Sequence, residues 1–289
     1  MATIRNDIAE QAAAVPNSPA TPPEVQRQRP KWQRLAIDAL YPTVALILAL
    51  VAWALWIELG SVKDYIIPGP VAVWTEMVDN FSFLWDQAQV TLLETAIGFV
   101  IAVAAGIAFA ILIATVRIVE KSVYPLLVAS QVIPKVALAP ILLIQFGFGI
   151  ASKVVVVILI AFFPVVVNGV IGLQSLEQEK MYLARSMGAS GWSTFWRIRF
   201  PQSLPSLFGG IKLAAIFAIV GAVVGEFIGA REGLGRTLLQ AQSQFNTELM
   251  FAAIGYLTIV GILFYASVDV IERLTIPWHI SKRRGSISS

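Results

Sequence analysis

The side chains of this 289-residue chain that can do chemistry lie, for the most part, inside apolar runs. Gln131 and Lys135 interrupt the apolar stretch 123–146, Asn168 lies within 154–173, and Glu226 sits near the end of 207–228. An ionisable group in hydrocarbon is costly and usually faces a bundle interior or a water-filled path. Lys135 lies 12 residues past the start of its stretch. At ~1.5 Å per residue it is about 18 Å deep, near the middle of a ~30 Å hydrocarbon layer. A cation there can attract an anionic or electron-rich solute. The competing reading is a structural lysine that pairs with a carboxylate or reaches along an irregular helix. Glu226 and Glu94 lie near outer span ends, where either could pair with a basic group; Glu226, flanked by Gly225 and Gly229, reads as a gate or dimer contact, and Glu94 as an interfacial residue. Lys212 and Asp269 fall near cytoplasmic helix ends and mark the interface, while Gln131 and Asn168 compete with a plain interhelical hydrogen bond.

All of this is noncovalent capture, and the sequence argues against bond-making chemistry. The chain has no cysteine, which removes disulfides, thiolate metal sites and cysteine nucleophiles. Its single histidine, His279, lies in the C-terminal tail, so neither a zinc cluster nor a Ser-His-Asp triad has a histidine within the apolar part. No Gly-x-x-x-x-Gly-Lys-Ser/Thr phosphate cradle occurs, and no cofactor is expected on this chain.

The elements that must position these residues follow from composition. Hydrophobic residues make up 57% of the chain and charged residues 13%, against about 25% charged in a soluble domain. The apolar residues form runs near the ~20 residues that cross a bilayer. The expected fold is therefore all-α and integral to the membrane, with six transmembrane helices at about 41–59, 91–114, 123–146, 154–173, 207–228 and 250–271. Residues 1–34, rich in Pro, Ala, Ser and Thr, read as a disordered cytoplasmic tail, 35–280 as the membrane domain, and 281–289 as a second cytoplasmic tail.

Basic residues orient the bundle. The tails and the second and fourth connections hold Arg5, Arg27, Arg29, Lys31, Arg34, Arg117, Lys121, Lys180, Arg185, Arg197, Arg199, Arg273, Lys282, Arg283 and Arg284. The other connections hold only Lys63, Lys153, Arg231 and Arg236, so both termini belong in the cytoplasm. The same asymmetry explains the net charge of +3 as membrane orientation rather than nucleic-acid binding.

Within the spans, Pro125, Pro134 and Pro140 break the third, which must then face protein or a cavity rather than lipid. Gly221, Gly225 and Gly229 set a small-residue stripe on the fifth, for packing within the subunit or at a dimer axis. The first outer segment, 60–90, holds an amphipathic stretch from Val71 to Gln89 that reads as an interfacial helix anchored by Trp74, Phe81 and Trp85.

The longest inner connection, 174–206, carries the most specific pattern. Helix formers run from Glu177 to Met187, Gly188 supplies a break, Ser190 can cap a second short helix, and Pro201 is expected to end it. The result is a helix-turn-helix whose second helix shows Trp192, Phe195 and Trp196, more aromatic surface than a solvated connector needs.

Ala184, Gly188, Ile198 and Pro201 match the coupling motif (the EAA loop) of binding-protein-dependent ABC importer permeases, although Tyr182, Leu183 and Phe200 depart from it. Ile133 to Pro140, Phe146 to Gly149, Phe162 to Pro164 and Gly225 to Ala230 resemble the nitrate/sulfonate/taurine-type group. Gly221 to Glu226, Glu272-Arg273 and Pro277-Trp278 resemble the members assigned to thiamine-pyrimidine precursors. The resemblance implies a type I importer permease fold in the bacterial inner membrane, paired with a second copy of itself. It also implies two cytoplasmic ABC ATPase subunits, which bind the ATP and Mg, and an extracytoplasmic solute-binding protein. The ATPase contact would then involve Tyr182, Ala184, Arg185, Gly188, Ala189, Trp192, Phe195, Ile198 and Pro201. A secondary transporter or channel would share the broken helices but would not need the aromatic loop. A membrane enzyme would need a catalytic constellation that these scattered carboxylates do not form.

Overall fold

The computed structural model describes residues 31–60, 66–176 and 178–278. Most of the expected N-terminal tail, the tail 281–289, Lys63, Glu177, His279 and the side chain of Arg185 lie outside the described residues. The chain divides into two units, Met1–Ala52 and Trp53–Ser289. Helix α1 (Lys31–Gly60) begins in the first and ends in the second.

Every described element is helical. In the second unit, α2 (Pro70–Asp79) opens with Pro70 at the first helical position, where its missing N–H costs nothing. Only Asn80 separates it from α3 (Phe81–Thr115). The expected amphipathic stretch 71–89 is therefore two pieces, the second continuous with a membrane span.

Next come α4 (Arg117–Ser130), a one-turn 3₁₀ segment (Lys135–Leu138) and α5 (Ala139–Phe146). The expected third span is thus a pair of helical arms bent by 87° at Gln131–Pro134. Pro134 has no N–H to continue α4, and the chain turns through short-range bonds, from Ile133 N–H to Ser130 O and from Ala137 N–H to Pro134 O. Gly147, at φ 80°, ends α5 in a conformation that favours glycine.

Helices α6 (Ile150–Gln174), α7 (Gln178–Ser186), α8 (Gly191–Thr194), α9 (Phe200–Gly229), α10 (Leu234–Ser243) and α11 (Thr247–Thr275) complete the chain. Among the described residues, five helices are long and apolar enough to cross a membrane, and six spans result if the bent pair counts as one.

The core lies where α3, α6 and α9 cross. Ala102, Val157, Ala161, Ala214, Ala218 and Ala222 are buried there together. Small residues bring the backbones close, since a Cβ on Gly221 would lie 2.9 Å from Val157 Cα. Gly225 likewise faces Lys153 at 3.1 Å, and Gly229 faces Phe148 and Leu143. The glycine stripe of the fifth span therefore packs inside the subunit rather than at a dimer axis.

Candidate coupling loop and conduit residues

The loop between α6 and α9 begins with α7, which closes on Gly188. Gly188 stands at φ 77°, and Ala189 N–H reaches back to Ala184 O at 3.1 Å, the six-to-one bond of a Schellman turn. Nothing lies within 4 Å of where a Gly188 Cβ would be, so conformation and not space selects glycine. Ser190 then caps α8, its side chain accepting from Ser193 N–H at 3.2 Å.

Pro201 does not end this second helix. A five-residue π turn, Phe195–Arg199, joins α8 directly to α9, and Pro201 sits in the first turn of α9. Pro201 cannot donate to the carbonyl of Arg197. The wider turn absorbs the mismatch, with Phe200 N–H bonding Phe195 O five residues back. The second half of the loop and the fifth span are therefore one continuous element.

The expected contact residues divide by face. Tyr182 and Trp192 project outward, Trp192 with 74% of its surface exposed, and beside them so do Leu183 and Met187, which are not among the expected contacts. Ala184 and Phe195 turn inward, and Phe195 packs with Ile113, Leu127 and Leu173. Ala189, Ile198 and Pro201 are half-buried, and Arg185 takes its place in the backbone of α7. The rings of Trp192, Trp196 and Phe195 form an edge-to-face chain with centroids 5.6 and 5.3 Å apart. An open cavity of about 490 Å³ lies between this chain and the end of α3, lined by Ile111, Thr115, Met181 and Arg199 among others.

The four conduit candidates are in unlike surroundings. Lys135, half-buried at the bend, holds its ammonium 4.4 Å from the centre of the Phe163 ring, and Gln131 is exposed where α4 stops. Asn168 donates its amide to Pro164 O at 2.9 Å within its own helix. Glu226 is fully buried, accepting from Thr91 Oγ1 at 2.7 Å and from Gly235 N–H at 2.5 Å. Leu234 N–H donates to Thr91 Oγ1 at 2.9 Å, and Gly233 N–H to Gln87 Oε1 at 2.7 Å. The first amides of α10, which a helix leaves without partners, are thus capped by side chains of α3 and α9.

One expectation about charges needs correction, and a second group of charges gains its partners. Glu94, read as interfacial, is 1% exposed, and Lys153, read as an outer-loop cation, is its buried ion-pair partner. Lys212 and Asp269, read as interface markers, form a cluster between α9 and α11 in which Lys212 pairs with both Asp269 and Glu272. Arg273 also pairs with Asp269, at 2.7 Å. Burial without a partner would leave a bare charge, so each group is held in place by its counter-ion. The spacing of Asp269, Glu272 and Arg273 along one helix face was a usable signal for the second cluster, whereas nothing near Glu94 in sequence points to Lys153.

Residues 102–276 match the family model of the binding-protein-dependent transport system inner membrane component. The chain belongs to that family. The permease is 37% identical to the formylaminopyrimidine transport permease protein of Halalkalibacterium halodurans, over 83% of this chain and 96% of that one. It is 34% identical to the riboflavin transport system permease protein of Chloroflexus aurantiacus, over 86% of this chain and 94% of the other. The taurine transport system permease protein of Escherichia coli is 25% identical, over 89% and 96%. In fold, the permease resembles a chain from the inward-facing conformations of the MetNI methionine ABC transporter. The TM-score is 0.54 at 20% identity, covering 67% of this chain and 94% of that one. This all-helical inner-membrane permease accordingly has the type I importer permease fold.

Proposed function

We propose that a pair of these permeases forms the solute conduit of an ATP-driven importer, with one cytoplasmic ABC ATPase subunit docked on each loop 174–206. The observation that carries this reading is the outward apolar face of the loop, made by Tyr182, Leu183, Met187 and Trp192 around the Gly188 turn. Such a face on a connection between spans calls for a protein partner. The partner binds the ATP and Mg, and its closure pushes the loop, which drives alternating access. A second copy covers the bent segment Gln131–Lys135, because non-helical backbone at membrane depth must be buried in protein or line water. Both termini lie in the cytoplasm, and an extracytoplasmic binding protein delivers the solute.

The solute is a small anion or an electron-rich heterocycle. Lys135 at the bend supplies a cation beside an aromatic wall, suited to either. Relatives named for taurine, formylaminopyrimidine and riboflavin span the same two chemical kinds. Gln131 lies beside it, while Glu226 from a buried position and Asn168 from a half-buried one shape the conduit.

The test is uptake of labelled taurine and formylaminopyrimidine into proteoliposomes holding the permease, its ATPase and its binding protein. Uptake that needs internal ATP, and that Lys135→Met lowers while the ATPase stays bound, supports the reading. Uptake that proceeds without ATP overturns it in favour of a secondary transporter or channel.

A further inference from the structure

We infer that Arg199 is the positioning residue through which the coupling loop moves three spans as one body. The inference rests on the coupling reading above and assigns the transmitting contact within it.

Arg199 closes the π turn, the point where the loop becomes the fifth span. Its guanidinium reaches two other helices at once. Nε donates to Leu173 O at 2.5 Å and an amino group donates to Ala114 O at 3.1 Å. Leu173 and Ala114 are each the next-to-last residue of a span, α6 and α3 respectively. Their carbonyls are among the four that a helix leaves unpaired at its C-terminal end, where the macrodipole also favours a cation. The planar fork of arginine can hold two such carbonyls in fixed directions, which a lysine ammonium cannot do equally well.

The surroundings stiffen the joint. Phe195 packs under the turn against Ile113 and Leu173, and a Cβ on Gly172 would lie only 2.8 Å from Ser203 O, so α6 and α9 touch just past the arginine. A push on the exposed face of Trp192 and Met187 therefore reaches α9 through the backbone and reaches α3 and α6 through Arg199. Without that contact the push would reach α3 and α6 only further along, through the packed core they share with α9.

The native chain has no cysteine, so one introduced thiol reports on one place. Val132, at the bend, is 86% exposed in the single chain and lies where the second copy is proposed to cover it, so its access reports on how that seam opens. Val132→Cys in the reconstituted permease–ATPase complex is labelled with a membrane-impermeant maleimide, with and without ATP plus vanadate. In the otherwise native chain, trapping the ATPase should change the labelling rate about tenfold, the population shift that about 1.4 kcal/mol produces. Adding Arg199→Met should weaken that response several-fold while the ATPase subunit still co-purifies, and Arg199→Lys should weaken it less. An undiminished response in Arg199→Met overturns the inference. If the methionine variant does not assemble, the lysine variant decides, and a full response there overturns it equally. A native chain with no response to ATP and vanadate would instead defeat the alternating-access reading itself.

Discussion

At Gly188 a single residue sets the turn between the two short helices of the loop 174–206. Its positive φ costs a non-glycine residue about 1–2 kcal/mol, with asparagine the least penalised. Because open space surrounds the missing Cβ, Gly188→Asn should keep the ATPase bound, whereas Gly188→Val should weaken co-purification by about tenfold. The comparison that checks this is the ATPase-to-permease ratio after affinity purification. The buried pair Glu94–Lys153 carries a different prediction. Lys153→Met leaves Glu94 as a bare buried charge, and about 3–5 kcal/mol should be lost. Adding Glu94→Gln should recover most of it, as read from the midpoint of thermal aggregation in detergent. If both changes together were as damaging as Lys153→Met alone, the pair would not be the source of the loss.

Among the elements, the π turn has the most specific consequence. It exists because Pro201 cannot donate, and it holds the aromatic ring chain one residue out of regular helical register. Pro201→Ala restores the donor. The turn should then relax to an α-helix, rotating Trp192 and Trp196 by about 100° relative to α9. ATPase co-purification should fall although the fold survives, and unchanged binding would show that the aromatic face is not positioned by the turn. In α2, Glu76 is held above the usual carboxylate range by partial burial first, and then by the charges of Glu248 and Asp79. A carboxyl with a raised pKa binds its proton more tightly in the folded state. Its contribution to stability is therefore full at low pH and is lost as pH rises through that raised value. Glu76→Gln should remove this part of the pH dependence, measured as the fall of the thermal midpoint as the pH is raised from below the ordinary glutamate value.

For the whole molecule, the bent third span is incomplete alone. Gln131, Val132, Ile133 and Pro134 are exposed where regular helix is interrupted; the amides of the first three turn back onto α4, but irregular backbone of this kind is not left facing hydrocarbon. The purified complex should contain two copies of this chain, a stoichiometry that native mass spectrometry reads directly. A stable complex with one copy would require some other cover for the bend.

The sequence by itself determined the membrane class, a break in the third span and the Gly188 turn, because each depends on short-range facts: length of apolar run, a missing N–H, a backbone conformation that favours glycine. The Ser190 cap is legible for the same reason, its partner being three residues away. Of the three prolines expected to break the third span, Pro125 stays inside a helix and the bend falls at Pro134. Only the tertiary structure decided which charges are buried and with whom. Glu94 and Lys153 are 59 residues apart in the chain, Lys212 and Asp269 are 57 apart, and Arg199 lies 85 residues from Ala114. Local pattern constrains which residues can be helical, but the angle at which two helices cross decides which side chains meet. Here that angle follows from small residues such as Gly98, Gly221 and Ala218 packing along their whole length. Pro201 shows the same limit in reverse. Its chemistry was plain from sequence, yet whether it ended a helix or widened one turn depended on α9 being held against α6.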